Sequence, residues 1–107
     1  MEVKILWTEF AINQLEQVFD YYKYKANINV ARKIVSQIAD RTLLLEKNPL
    51  MGTKEPLLED RKSEYRYLVE GNYKILYWVE DNFVKISSIF DCRLNPIKIK
   101  ENTPNPS

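Results

Sequence analysis

Residues 65–90 read YRYLVEGNYKILYWVEDNFVKISSIF, and this stretch decides the fold. Aromatic and β-branched residues fill three runs, 65–69, 73–79 and 83–90. Such side chains suit a pleated, half-buried surface. Glu70-Gly71-Asn72 and Glu80-Asp81-Asn82 separate the runs with the chemistry of tight reversals, so the spacing predicts an antiparallel meander. In the middle run Tyr73, Ile75, Tyr77 and Val79 share one face, and Lys74, Leu76, Trp78 and Glu80 share the other. The first set is the better layer to pack beneath helices. The second joins a cation, an apolar body and an indole, as a half-exposed face does. Pairing across Gly71-Asn72 is expected to bring Arg66 onto that open face beside Lys74. Arg93, just past the third run in FDCRLNP (90–96), is expected to reach the same concavity.

Working outward, residues 2–7 (EVKILW) read as a short strand, mostly buried. Thr8 offers a hydroxyl N-cap, with Glu9 suited to a first helical turn. Ala11/Ile12, Leu15, Val18/Phe19 and Tyr22 then recur at three- and four-residue steps, one apolar stripe on a helix from Glu9 to about Tyr24. After the polar KANIN segment, Asn29 is placed to cap a second helix, whose stripe runs Val30/Ala31, Ile34/Val35, Ile38, Thr42 and Leu45. Asn48-Pro49 ends it. Residues 48–64, with Pro49, Gly52 and Pro56, form the one long irregular connection. The predicted fold is α+β in the order β-α-α-β-β-β, an N-terminal strand and a helical hairpin packed on one face of an antiparallel sheet. A single domain spans 1–98, and 99–107 form a polar, Pro-rich, loose tail.

Composition removes several classes of function. At 107 residues there is one core and room for no second. Only Gly52 and Gly71 are glycine, too few for a phosphate-cradling loop. The absence of histidine rules out Ser-His-Asp and Cys-His nucleophiles and any metal site that needs imidazole. No cofactor or metal is expected. Cys92 is the single cysteine, which fits a reducing compartment, and no apolar run is long enough to span a bilayer, so a cytoplasmic location with no membrane partner is expected. A formal net charge of +1 lacks the strong basicity of a sequence-independent nucleic-acid binder.

Arg66, Lys74 and Arg93 around Trp78 would make a site for a phosphate backbone or an acidic peptide. Against this stands the ordinary role of cations on a sheet, which keep it soluble and block edge association. Tyr65, Tyr67, Tyr73 and Tyr77 suit packing, Trp78 suits core or rim packing, and Cys92 suits a small half-buried hydrophobe.

The ordered set KILWTEFAINQLEQVFDYY, LLLEKNPLMGT, YRYLVEGNYKILYWVEDNFVKI and FDCRLNP resembles the RelE/ParE superfamily of type II toxins over roughly residues 2–98. The resemblance implies a bacterial growth-inhibiting toxin of the plasmid-stabilization type, held in a hetero-oligomer by a cognate antitoxin. It also implies one of two activities. RelE-like members cleave mRNA on the ribosome without metal, and here Arg66, Lys74 and Arg93 would be the catalytic cations. ParE-like members inhibit DNA gyrase and hydrolyse nothing, and Arg66, Lys74, Trp78 and Arg93 would then contact the target. RelE-like enzymes carry a tyrosine a few residues beyond the last arginine. Here Leu94, Asn95, Pro96, Ile97 and Lys98 fill that stretch and no aromatic follows. Glu64 and Tyr67 are the other candidate bases, at spacings that demand neither. The departure favours the ParE-like branch, with the nuclease as one alternative and a non-toxic, antitoxin-binding relative as another.

Overall fold

The computed structural model describes residues 3–104. Strand β1 (Lys4–Trp7) leads into helix α1 (Glu9–Lys25), and α2 (Ile28–Leu43) continues into a 3-10 turn, Leu44–Glu46. After a loop come the two-residue strand β2 (Thr53–Lys54) and a second 3-10 turn, Pro56–Leu58. The meander β3 (Arg66–Glu70), β4 (Tyr73–Glu80) and β5 (Phe83–Asp91) follows, then a single helical turn, α3 (Lys98–Glu101). The sheet order is β1-β5-β4-β3-β2. The meander is antiparallel, and β1 joins it in parallel beside the first half of β5.

Local chemistry accounts for most of these boundaries. The Thr8 hydroxyl accepts the Ala11 N–H as an N-cap, and it donates to the Ile86 carbonyl, tying the start of α1 to β5. Asn27, not Asn29, caps α2, its side-chain oxygen accepting the Val30 N–H at 2.9 Å. Both hairpins turn in two residues, and Gly71 (φ 58°) and Asp81 (φ 56°) take the left-handed conformation that each reversal requires. Gly52 is fixed by a close approach. A Cβ there would stand 2.5 Å from the Tyr77 hydroxyl and 2.8 Å from the Tyr67 carbonyl oxygen.

Tyr73, Ile75 and Tyr77 pack beneath the helices with Ala11, Val18 and Ile38, the layer predicted from β4. Thr42 and Leu45 are also buried, as the second stripe predicts. β1 lies at the sheet edge. Ile5 and Trp7 turn toward this core while Lys4 and Leu6 stay exposed, so the strand is half-buried rather than mostly buried.

The opposite face is not open. Leu76, Trp78 and Phe90 pack there with Leu58, Tyr65 and Ile99, beneath the 3-10 turn at Pro56–Leu58 and helix α3. The loose tail expected from composition is therefore not found over its described part, residues 99–104. Ile99 is buried, the buried Ser88 and Thr103 hydroxyls share a hydrogen bond of 2.9 Å, and Tyr65 donates to the Pro104 carbonyl. Residues 1–2 and 105–107, which include the first residue of the predicted strand and the end of the predicted tail, lie outside the described residues.

Candidate functional site

The three cations do not converge around Trp78. A two-residue turn makes residues symmetric about it share a face, so Val69 stands opposite Lys74 and Arg66 stands opposite Tyr77. Arg66 therefore lies on the helix side. Its Nη1 donates to the Leu50 and Gly52 carbonyls at 3.2 and 2.8 Å, with Glu64 3.6 Å from Nη2. The Tyr77 hydroxyl, held by the Pro49 carbonyl and the Gly52 N–H, straps the same loop. Burial pushes the Tyr77 phenol up, so it remains a neutral donor.

Lys74 is on the opposite face, as predicted, but it is engaged. Its ammonium lies 2.9 Å from Glu55 and 4.1 Å from the centre of the Tyr67 ring. Glu55 is only 3% exposed, and its other oxygen accepts the Leu57 N–H. Lys74 thus holds a buried carboxylate that shapes the second 3-10 turn. Trp78 is 6% exposed, stacked at a tilt 5.7 Å from Tyr65, with its Nε1–H given to Glu80 at 3.0 Å. It is a core residue on that face.

Arg93 goes to a third place. Tyr77 pairs with Ile86 and Leu76 with Ser88, so Ser87 is one residue too many, a β-bulge. The inward set of β5 passes from Val84 and Ile86 to Ile89 across that bulge. The chain end beyond it carries Asp91 and Arg93 toward α1. Arg93 Nε and Nη2 grip Asp91 as a fork at 3.0 and 2.8 Å, and its guanidinium lies 5.9 Å from the Tyr21 ring centre. The pair lowers the Asp91 carboxyl and raises the guanidinium. Burial, with Tyr22 beside it, raises the Tyr73 phenol below them. The Arg93 side chain remains 49% exposed.

Sequence reasoning missed a groove of about 710 Å³ at this corner. Gln14, Gln17 and Tyr21 of α1 form one wall, Asp91 and Arg93 the floor, and Leu94 with Asn102 the far rim. Its one legible signal is that the polar flank of α1 carries amides, Asn13, Gln14 and Gln17, among its charges.

Residues 5–94 match the family model described as ParE toxin of type II toxin-antitoxin system, parDE. Among solved structures, a chain of the chromosomal ParDE TA system from P. aeruginosa superposes with a TM-score of 0.71 at 20% identity, covering 84% of this chain and 96% of that one. The YoeB dimer from Staphylococcus aureus is more distant, with a TM-score of 0.52 at 20% identity over 82% of this chain and 94% of that one. No curated protein matches at a significant level. The two structures share the fold, and the family match spans the hairpin, the sheet and Arg93. This chain belongs to the ParE toxin family of type II toxin-antitoxin systems.

Proposed function

We propose that this chain inhibits bacterial growth by binding a cytoplasmic target, with DNA gyrase the first to test, and that an antitoxin encoded beside it neutralises it in a hetero-oligomer. The observation that supports binding over cleavage is the dispersal of Arg66, Lys74 and Arg93. Cleaving RNA through its 2′-hydroxyl requires cations aimed together at the charge growing on one phosphate. Here they occupy three places, and each is engaged by carbonyls or a carboxylate. Of the four residues read as target contacts, Arg93 is the one we assign to that role. It alone of the three cations is half-exposed, and its forked partner Asp91 presents it at a corner of the sheet. Arg66, Lys74 and Trp78 act by shaping the fold.

Induced expression should arrest growth, co-expression of the neighbouring reading frame should relieve the arrest, and purified protein should block gyrase supercoiling. Codon-register cuts in ribosome-bound mRNA would instead establish the nuclease. Normal growth at verified soluble expression would leave a non-toxic partner-binding protein.

A further inference from the structure

The net charge of +1 hides an uneven distribution. Residues 21–39 hold Lys23, Lys25, Arg32 and Lys33 and no acid, so they carry +4 while the rest of the chain sums to −3. The four cations crowd the tip of the helical hairpin. α1 ends at Lys25 and α2 begins at Ile28, so Ala26 and Asn27 alone make the reversal. The reversal is held in place, with the Ala26 N–H donating to the Tyr22 carbonyl at 2.8 Å and Asn27 capping α2. At about 1.5 Å per helical residue, all four cations lie within roughly 9 Å of the turn along the helix axes. All four are exposed, and among the described residues none of them joins an ion pair. The cations of the sheet differ. Lys54, Arg66, Lys74, Lys85 and Arg93 each meet a carboxylate.

Helix chemistry accounts for half of this cluster. Lys23 and Lys25 occupy the last turn of α1, where the helix dipole favours cations. Arg32 and Lys33 do the opposite. They follow a first turn of α2 that has no acid, so the positive end of that dipole is reinforced instead of offset. Tyr24, between the two lysines, is 87% exposed, and Asn29 is exposed across the turn. Lysine, arginine, tyrosine and asparagine side chains and a helix N-terminus are the groups that hold nucleic-acid phosphates. The tip also adjoins the residue assigned to the target. Tyr21 stands one turn before Lys25 on the same flank of α1, and the Arg93 guanidinium lies 5.9 Å from its ring centre.

We infer that the tip of the helical hairpin binds the phosphate backbone of duplex DNA through Lys23, Lys25, Arg32 and Lys33, without reading base sequence. The choice of duplex DNA among polyanions rests on the proposed function, because gyrase supercoils duplex DNA. With Arg93 on the enzyme, the tip at the same end of the molecule faces the DNA that the enzyme holds. An anionic membrane fits less well, because the apolar stripes of both helices face the sheet and not the outside.

The test is fluorescence anisotropy of a labelled duplex, titrated with the free chain at stepped salt and without gyrase. Four neutralised phosphates predict an affinity that falls on the order of 100-fold between about 50 and 200 mM salt. Duplexes of different sequence should behave alike. The quadruple variant Lys23→Gln, Lys25→Gln, Arg32→Gln, Lys33→Gln should bind at least ~10-fold more weakly at the lowest salt. It should also lose most of the salt dependence while keeping the urea midpoint. Should it lose its fold, the pairs Lys23→Gln, Lys25→Gln and Arg32→Gln, Lys33→Gln divide the same loss. A matched variant, Lys4→Gln, Lys47→Gln, Lys62→Gln, Lys98→Gln, removes equal charge from exposed lysines elsewhere and should bind as the wild type does.

Equal weakening by the two quadruple variants reduces the effect to net charge and overturns the inference. So does no duplex binding at the lowest salt, or tighter binding to single-stranded RNA of the same length. Binding only to vesicles of phosphatidylserine and phosphatidylcholine overturns it as well. These outcomes leave the proposed function standing, since growth arrest and supercoiling decide that separately. Duplex binding localised to the tip, in a chain that leaves gyrase unaffected, upholds the inference and removes gyrase as the target.

Discussion

One sheet carries two coverings of different kinds. On the helix side, two amphipathic helices lay continuous stripes onto Ile75, Tyr77 and Ile86. On the other side a 3-10 turn, a loop and one helical turn bring Leu58, Tyr65 and Ile99 onto Leu76, Trp78 and Phe90. The first covering stabilises itself in part through helical hydrogen bonds and caps. The second has little regular structure of its own and depends on single anchors, among which Lys74–Glu55 and Ser88–Thr103 are two polar ones. A cation that seemed free on an open strand face is therefore consumed in fastening the chain that closes that face.

The largest effect should come from the helix side. Ile75→Ala removes a fully buried side chain wedged between two helices and the sheet, where collapse is restricted. It should destabilise by about 4 kcal/mol in urea unfolding. A loss as small as that of a surface substitution would mean that the two coverings are not different in kind.

Next is the anchor itself. Lys74→Ala leaves Glu55 buried against the 3-10 turn with only the Leu57 N–H as partner. The expected cost is about 3 kcal/mol, and the double variant Lys74→Met, Glu55→Leu should recover most of it. Failure of the double variant to recover stability would show that the pair does more than neutralise a buried charge. Ile99→Ala should cost less, roughly 1–2 kcal/mol, although Ile99 is as buried as Ile75. Helix α3 is a short terminal segment, so its detachment limits the loss. Faster amide exchange confined to residues 98–104 would show this, and a global loss equal to that of Ile75→Ala would erase the contrast.

How much of this was legible follows the same division. The helices, the meander and the helix-facing layer of β4 were readable because Thr8, the 3.6-residue stripes and the two turns carry strong local signals. The face of Arg66 was readable too. A two-residue loop pairs Val69 with Lys74 and thereby sends Arg66 to the other side, so counting from the turn would have separated them. The position of Arg93 was not readable, because it depends on a bulge at Ser87, and two adjacent serines announce neither a face nor an extra residue. The second covering was hidden as well. Leu57, Leu58 and Ile99 follow no period, and the prolines around them suggest loops, while tertiary contacts alone bury them. The groove escaped notice because an uncovered strand edge depends on where β1 stops, and that is set by the Thr8 cap.

The smallest effect on stability should come from Arg93→Ala, and it separates the corner from both coverings. The fork to Asp91 is solvent-exposed, so losing it should leave the urea midpoint essentially unchanged. The Asp91 carboxyl should nonetheless respond. Hydrogen bonding to Arg93 holds it below its ordinary value of 3.8, so in Arg93→Ala a carboxyl-detected NMR titration should find it moved upward. The sign for stability follows. A carboxyl whose folded value is depressed contributes stability that is present above its unfolded value and lost as pH falls through the folded one. Any difference between the wild type and Arg93→Ala should therefore be present above about pH 4 and fade in stronger acid. If growth arrest disappears in Arg93→Ala while the urea midpoint and all other amide shifts hold, the exposed corner carries function separately from the fold. If Arg93→Ala remains fully toxic, the residue is only the solvated end of a strand, and the target contact must be sought elsewhere on the surface.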